Sequence, residues 1–463
     1  GMSSITDVHP DLAGLDPKAL DRLTAWNKYL VETERLASSA VLVARHGHVG
    51  YHFACGEQRP GVPIAVDTIY RIYSMTKPIV SLALMQLFEE GKFQLTDPIK
   101  LFIPAFDKRR MTVFKSGTVQ NYETEPCRRS ITIKHVLTHT SGLSYGFTPA
   151  SNPVDAAYRK AGLLPKGATA GKVPDRDKPD FSQGEFFDRL AAQPLLFQPG
   201  EHWFYGFNTD LCGYLVELLS GMPLQDFLSQ RIFAPLKMVD TGFTVPPEKH
   251  HRFASNWMRR GATPGLGAVQ PASAPRTGLK EISEATDEAS YLFPKKEMFM
   301  SGGGGLASTT HDYYRFCACL LNGGTLDGER IISTATLKWM TSNHLTRRSP
   351  SGGMAESIDM KALAFQAGYS EAQPAGTGFG LGFSVRINAV ESGIIGSVGN
   401  YSWGGAANTY FLIDPSEGMI VIHMTQLMYN DPMKLPLRAQ LGSLVYGAVV
   451  DPAPYPRMMR SKL

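Results

Sequence analysis

YRIYSMTKPIV, residues 70–80, sets Ser74 and Lys77 three apart at the head of an apolar run that continues through SLALMQLF. The run reads as a helix that begins near Ser74 and ends at Gly91, where glycine suits the cap. Positions i and i+3 share a helix face, so Lys77 can reach the Ser74 hydroxyl. A serine hydroxyl is a weak nucleophile until a base takes its proton. A lysine starts from a reference pKa of about 10.4, too high for that work, but burial disfavours the charged form and lowers it. The helix N-terminus adds backbone N–H groups that favour an oxyanion, and the apolar run supplies dry surroundings. Alone, a Ser-x-x-Lys spacing arises by chance about once or twice in a chain this long. A capping serine beside a solvated lysine is then the plainer reading, so the rest of the chain has to decide.

Upstream, Asp16 followed by Pro17 is a helix start, and KALDRLTAWNKYLVETERLA carries a helical apolar period. SAVLVARHGHVGYHFACG then gives two β-rich runs around a His-Gly-His turn, a hairpin. From about 96 to 300, turn-rich stretches alternate with helical ones such as LCGYLVELLS and PLQDFLSQRIF. Beyond SGGGGLAS (301–308) come a helix, THDYYRFCACLLNGG, then strands GFGLGFSVRI, ANTYFLID and GMIVIHMTQL, and a final helix, LRAQLGSLVYGAVV. Strands at both ends with helices between predict an α/β (α+β) fold. An antiparallel sheet flanked by helices is built from residues 1–95 and 301–463, and residues 96–300 form an inserted, mainly helical lobe.

The chain of 463 residues is 43% hydrophobic and 19% charged, an ordinary globular composition. Its formal charge of +4 is spread out rather than gathered, which argues against nucleic acid or an anionic membrane as partner. The segment SSITDVHPDLAGLDPKAL has neither a basic start nor an apolar stretch, so export is not expected. The longest apolar windows run for about half a bilayer span, and no transmembrane segment is expected. Five cysteines without paired doublets argue against zinc, and reduced thiols in a cytoplasmic protein are the expectation.

SMTK (74–77) matches the first motif of the serine β-lactamase and penicillin-binding protein superfamily, and the chain resembles its class C-like branch. That branch includes β-lactamases, D-alanyl carboxypeptidases, family VIII esterases and related acyltransferases. ITIKHVLTHTSGL (131–143), WFYGFNTDLCGYLVELLSG (203–221), GGGGLASTTHDYYRFCACLLNGG and YSWGGAANTYFLIDP resemble its later blocks, in the family's order. The resemblance implies that Ser74 is the acylated nucleophile, Lys77 its hydrogen-bonded partner and Tyr205 the motif tyrosine that relays a proton. Which of Lys77 and Tyr205 takes the first proton stays open, since the two would titrate as a unit. The resemblance further implies an oxyanion hole from the backbone N–H groups of Ser74 and Ala406.

Two departures bear on substrate. Tyr205 is followed by Gly206 and Phe207, with Asn208 one place later than in the family's Tyr-x-Asn. The Lys-Thr-Gly of the β-lactamases is replaced by Trp403, Gly404 and Gly405, so the cation that pairs with a substrate carboxylate is missing. Phe207, Asn208, Trp403, Gly404 and Gly405 are the expected substrate contacts. The reading is a serine hydrolase acting through an acyl-enzyme on small esters or lactones, with weak β-lactamase side activity and no cofactor or metal. Acyltransferase, β-lactamase and D-alanyl carboxypeptidase are the rival activities, and an acyl-ligand-binding protein on an inactive scaffold is the non-enzyme rival. Oligomeric state is not readable.

Other signals carry less. GLSYG (142–146) is a literal Gly-x-Ser-x-Gly around Ser144, but a helical segment precedes it where that elbow needs a strand. His135 and His139 have metal-binding spacing without the glutamate of the zinc-protease motif. GGGG (302–305) lacks the Lys-Ser/Thr of a phosphate loop and suits close packing beside the site. Cys317 and Cys319 point to different helix faces and suit packing. Loops at 150–180, 258–290 and 344–378 are expected to shape the pocket.

Overall fold

The computed structural model describes residues 5–147, 152–164, 182–295 and 298–452. Asp16 caps the first helix, α1 (Pro17–Glu32), its carboxylate accepting the Lys18 N–H, with Pro17 at the first position. The hairpin follows as β1 (Ser38–Arg45) and β2 (His48–Arg59), with Arg45 paired to His48 across a two-residue turn. His46 and Gly47 there both adopt positive φ, 54° and 80°, the primed turn that suits strand twist.

The main sheet adds β3 (Val62–Pro63), β4 (Thr377–Phe379), β5 (Ser384–Arg386), β6 (Tyr401–Gly404), β7 (Tyr410–Asp414) and β8 (Met419–Met424), in the order β4-β5-β6-β7-β8-β1-β2-β3. All its pairings are antiparallel, and the β8–β1 pair, with Val43 opposite Val421, joins the two ends of the chain. GFGLGFSVRI is thus not one strand: it turns at Gly380–Phe383 into β4 and β5. Every residue of β1 is buried because both faces are covered. Leu42 and Ala44 join the larger core with α2 (Thr76–Glu89) and α5 (Thr310–Leu321). Val41 and Val43 pack against α1 and the last helix, α6 (Leu437–Tyr446).

Between sheet strands β3 and β4 the chain forms α2, the short α3 (Ile133–Leu137), α4 (Asn208–Ser220), α5 and smaller pieces. The stretch 96–300 is not helical throughout: Thr112–Gly117 and Tyr122–Pro126 make a hairpin. The 258–290 region is not all loop either. Trp257–Arg259 pairs with Leu279–Glu281 and, in parallel, with Leu427–Met428. Most of the 150–180 loop lies outside the described residues. Among the described residues no helix is long and apolar enough to cross a membrane.

Candidate active site

Ser74 does not lie in α2 itself but in the 3-10 turn Tyr73–Met75 that runs into it. Tyr73 enters that turn with φ +41°, a conformation that a bulky residue adopts only under constraint. Packing supplies the constraint: Asn256 Nδ2 donates to the Tyr73 hydroxyl at 3.1 Å, and Tyr73 sits in a cluster with Ala406, Ala407 and Met428. The turn still leaves i and i+3 facing each other, and Lys77 Nζ donates to Ser74 Oγ at 3.0 Å. From the other side the Tyr205 hydroxyl donates to the same oxygen at 2.7 Å. Trp403 Nε1 donates to the Tyr205 oxygen at 3.1 Å. Serine, amine, phenol and indole thus form one buried chain.

Burial controls its electrostatics. Lys77 is wholly buried, and desolvation lowers its pKa to about 7, opposed by the charges of Asp210 and Glu371. Its second hydrogen bond runs to Gly303 O at 2.6 Å. Burial, with the nearby Glu371 charge, pushes the Tyr205 phenol well above its ordinary value. The amine is the group poised to accept a proton near neutrality, and the phenol holds its own.

Gly303 belongs to the glycine run, which packs as expected. A Cβ at Gly302 would stand 2.6 Å from Thr209 O, one at Gly303 would collide with Asp210 and Tyr145, and one at Gly305 would lie 2.8 Å from the Phe243 ring. Asp210, on the first turn of α4, takes the Ser301 hydroxyl at 2.5 Å and the Gly303 N–H at 3.3 Å, fixing the carbonyl that Lys77 uses. Neither the Ser74 nor the Ala406 N–H donates to any acceptor among the described residues. The turn carrying Ala406 is held by Gly405 N–H to Thr409 O at 2.8 Å and Asn408 N–H to Gly405 O at 2.9 Å. It abuts the Ser74 turn so closely that a Cβ at Gly405 would strike Ile72 O.

Two expected substrate contacts, Phe207 and Asn208, are buried at the start of α4. Phe207 packs among the rings of Tyr145, Tyr158 and Phe186. Asn208 opens α4 fully buried, its amide oxygen accepting from Ser141 at 2.5 Å and its nitrogen 3.1 Å from His139 Nδ1. The start of a helix there turns both residues into the core. His139, its ring tilted against that of Tyr205 at 5.0 Å, has its pKa pushed well below the ordinary value by burial and the Lys77 charge. His135 closes a capping box with Thr132 on α3. Among the described residues no group of side chains is arranged to hold a metal. Ser144 is buried, with helix α3 rather than a strand before it, and its N–H bonds Tyr158.

A narrow cleft of about 10 Å³ beside Tyr205 is lined by Ser144, Tyr145, Phe147, Phe204, Tyr205 and Tyr369. Tyr145, Tyr369, Asp210, Glu371 and Arg438 were not singled out from sequence. Asp210 and Arg438 had a signal, each a charge within an otherwise apolar helical stretch. Glu371 and Tyr369, in a loop, had none.

A serine held between a neutralised amine and a phenol, with two idle backbone donors nearby, defines a serine hydrolase-type enzyme. The Beta-lactamase family profile matches residues 23–443, and the chain belongs to that family. It is 32% identical over 372 residues to protein Rv1367c of Mycobacterium tuberculosis (strain ATCC 25618 / H37Rv), covering 79% of each chain. It is 29% identical over 451 residues to esterase EstB of Burkholderia gladioli, covering 94% of this chain and 99% of EstB. Among solved structures, EstCE1, a hydrolase with promiscuous acyltransferase activity, superposes with a TM-score of 0.71 at 22% identity, covering 93% of this chain and 98% of the other.

Proposed function

We propose that the protein is a carboxylesterase acting on small neutral esters or lactones through an acyl-enzyme on Ser74, in a site between the sheet domain (1–95, 301–463) and the inserted lobe (96–300). The single observation that carries this reading is the convergence of Lys77 Nζ and the Tyr205 hydroxyl on Ser74 Oγ, at 3.0 and 2.7 Å. In acylation the Ser74 proton passes to the Lys77 amine while Oγ bonds to the acyl carbon. Charge on the former carbonyl oxygen is met by the Ser74 and Ala406 N–H groups. Collapse expels the alkoxide, which takes a proton from the Tyr205 phenol, and Lys77 restores it. Water then repeats the sequence in the leaving alcohol's place.

The ester preference is supported by the aromatic cleft, by Trp403 in place of the motif lysine, and by the likeness to EstB. Transfer to an alcohol instead of water is the second reading, favoured by the fold shared with EstCE1. The test is a panel of p-nitrophenyl esters of rising chain length beside nitrocefin, with and without an added alcohol. Short esters should be turned over far faster than nitrocefin. The reverse order would make the protein a β-lactamase, and a dominant transfer product would make it an acyltransferase.

A further inference from the structure

Trp403 stands where a lysine is expected, yet the end of β6 that carries it does not lack positive charge. Arg438, on the first turn of α6, lays its guanidinium across Gly404 so closely that any Cβ there would collide with it. Its Nη2 lies 3.4 Å from Gly405 O and 3.3 Å from Thr409 O, and the guanidinium sits over the Tyr410 ring at 5.3 Å. Gly405 O belongs to the same peptide unit as the Ala406 N–H, and because a trans peptide points the two apart, the cation backs the turn on the side away from the candidate oxyanion hole.

Glu371 occupies that cation. Nη2 donates to its Oε2 at 2.6 Å and Nη1 to its backbone oxygen at 2.6 Å. The other carboxylate oxygen accepts the hydroxyl of Tyr369, whose ring lines the cleft 6.1 Å from that of Tyr205. The Glu371 side chain is 2% exposed and that of Arg438 is 25%, and Arg438 Nε has no partner among the described residues. A buried ion pair is a poor route to stability, because well-packed apolar side chains often serve as well. A guanidinium is a strong receptor for a carboxylate. Here an internal carboxylate fills that role and would repel an incoming one.

We propose that Glu371 sets the charge preference of the cleft: held on Arg438 behind the Tyr369 ring, its carboxylate repels a substrate carboxylate, so neutral esters enter and carboxylate-bearing ones are turned away. This rests on the acyl-enzyme reading above and names the substrate class within it. The full chain and its Glu371→Gln, Arg438→Gln and double variants would be assayed on 3-acetoxybenzoate and on its methyl ester, which differ only in the carboxylate. Glu371→Gln should raise the ratio of kcat/KM for acid over methyl ester about tenfold, chiefly through KM. Salt near 1 M should shrink that gain, and the double variant should return close to the wild-type ratio. An unchanged ratio in Glu371→Gln, or an equal rise in the double variant, would overturn the proposal. If Glu371→Gln does not fold, Arg438→Gln decides: leaving Glu371 unopposed, it should lower the ratio, and no change contradicts the proposal. Loss of the acyl-enzyme reading looks different, since wild type would then hydrolyse neither ester and take no fluorophosphonate label.

Discussion

Lys77 keeps both of its hydrogen bonds on uncharged partners, Ser74 Oγ and Gly303 O, inside a fully buried pocket. Neither partner is a carboxylate, and although Nζ lies 4.5 Å from the Tyr205 ring and 5.1 Å from that of Tyr145, desolvation wins over these and over Asp210 and Glu371 and lowers its pKa to about 7. The neutral amine is the reactive form. Accordingly kcat/KM should fall as pH drops through about 7 and level off above it, read from a pH–rate profile on a neutral ester. A profile flat from pH 5 to 9 would remove Lys77 from the role of base. The spacing of Ser74 and Lys77 made their contact legible by placing both on one face, while the resemblance was needed to read it as chemistry. The roles of Tyr205 and Ala406 came only through resemblance, since both lie far from Ser74 in sequence and nothing local draws them to it.

At the scale of the element, the glycine run at 302–305 behaves as a mould. Thr209, Asp210, Tyr145 and Phe243 occupy the space that side chains would need, and the run presents Gly303 O to Lys77. Gly303→Ala should force this segment away from Asp210, costing about 1–3 kcal/mol in urea unfolding. Because the displaced carbonyl positions the amine, kcat should fall as much as about 10²-fold. Stability loss with kcat retained would mean that the segment only packs. The close packing was foreseen from composition. The α-helix proper starts at Thr76, two residues past Ser74, because a 3-10 turn and an α-helix present the same apolar run. Phe207 and Asn208 were expected to touch substrate through the resemblance, and their burial at the start of α4 leaves no sequence mark, since no side chain caps that helix.

Across the whole molecule, the two chain ends meet in one sheet through β1 and β8, and a buried arginine secures the junction. Arg45, 1% exposed, pairs with Glu417 at 3.0 Å and with Asp451, while its Nε donates to Glu417 O at 2.9 Å. Removing one member of a buried pair strands the other, so Arg45→Met should cost about 3 kcal/mol in denaturant unfolding. A loss within the error of the experiment would show the pair to be dispensable. Fold class was readable because β-rich runs cluster at the two termini. The Arg45 pair was not, since Arg45 and Glu417 lie 372 positions apart in sequence.

The claim on which the rest depends is that Ser74 carries the acyl group, and mass spectrometry of the enzyme quenched during turnover of p-nitrophenyl butyrate tests it most directly. One butyryl group should appear on the peptide containing Ser74, and Ser74→Ala should show no adduct and a fall in kcat of at least about 10³-fold. An adduct on Ser144, or turnover that survives Ser74→Ala, would contradict the account.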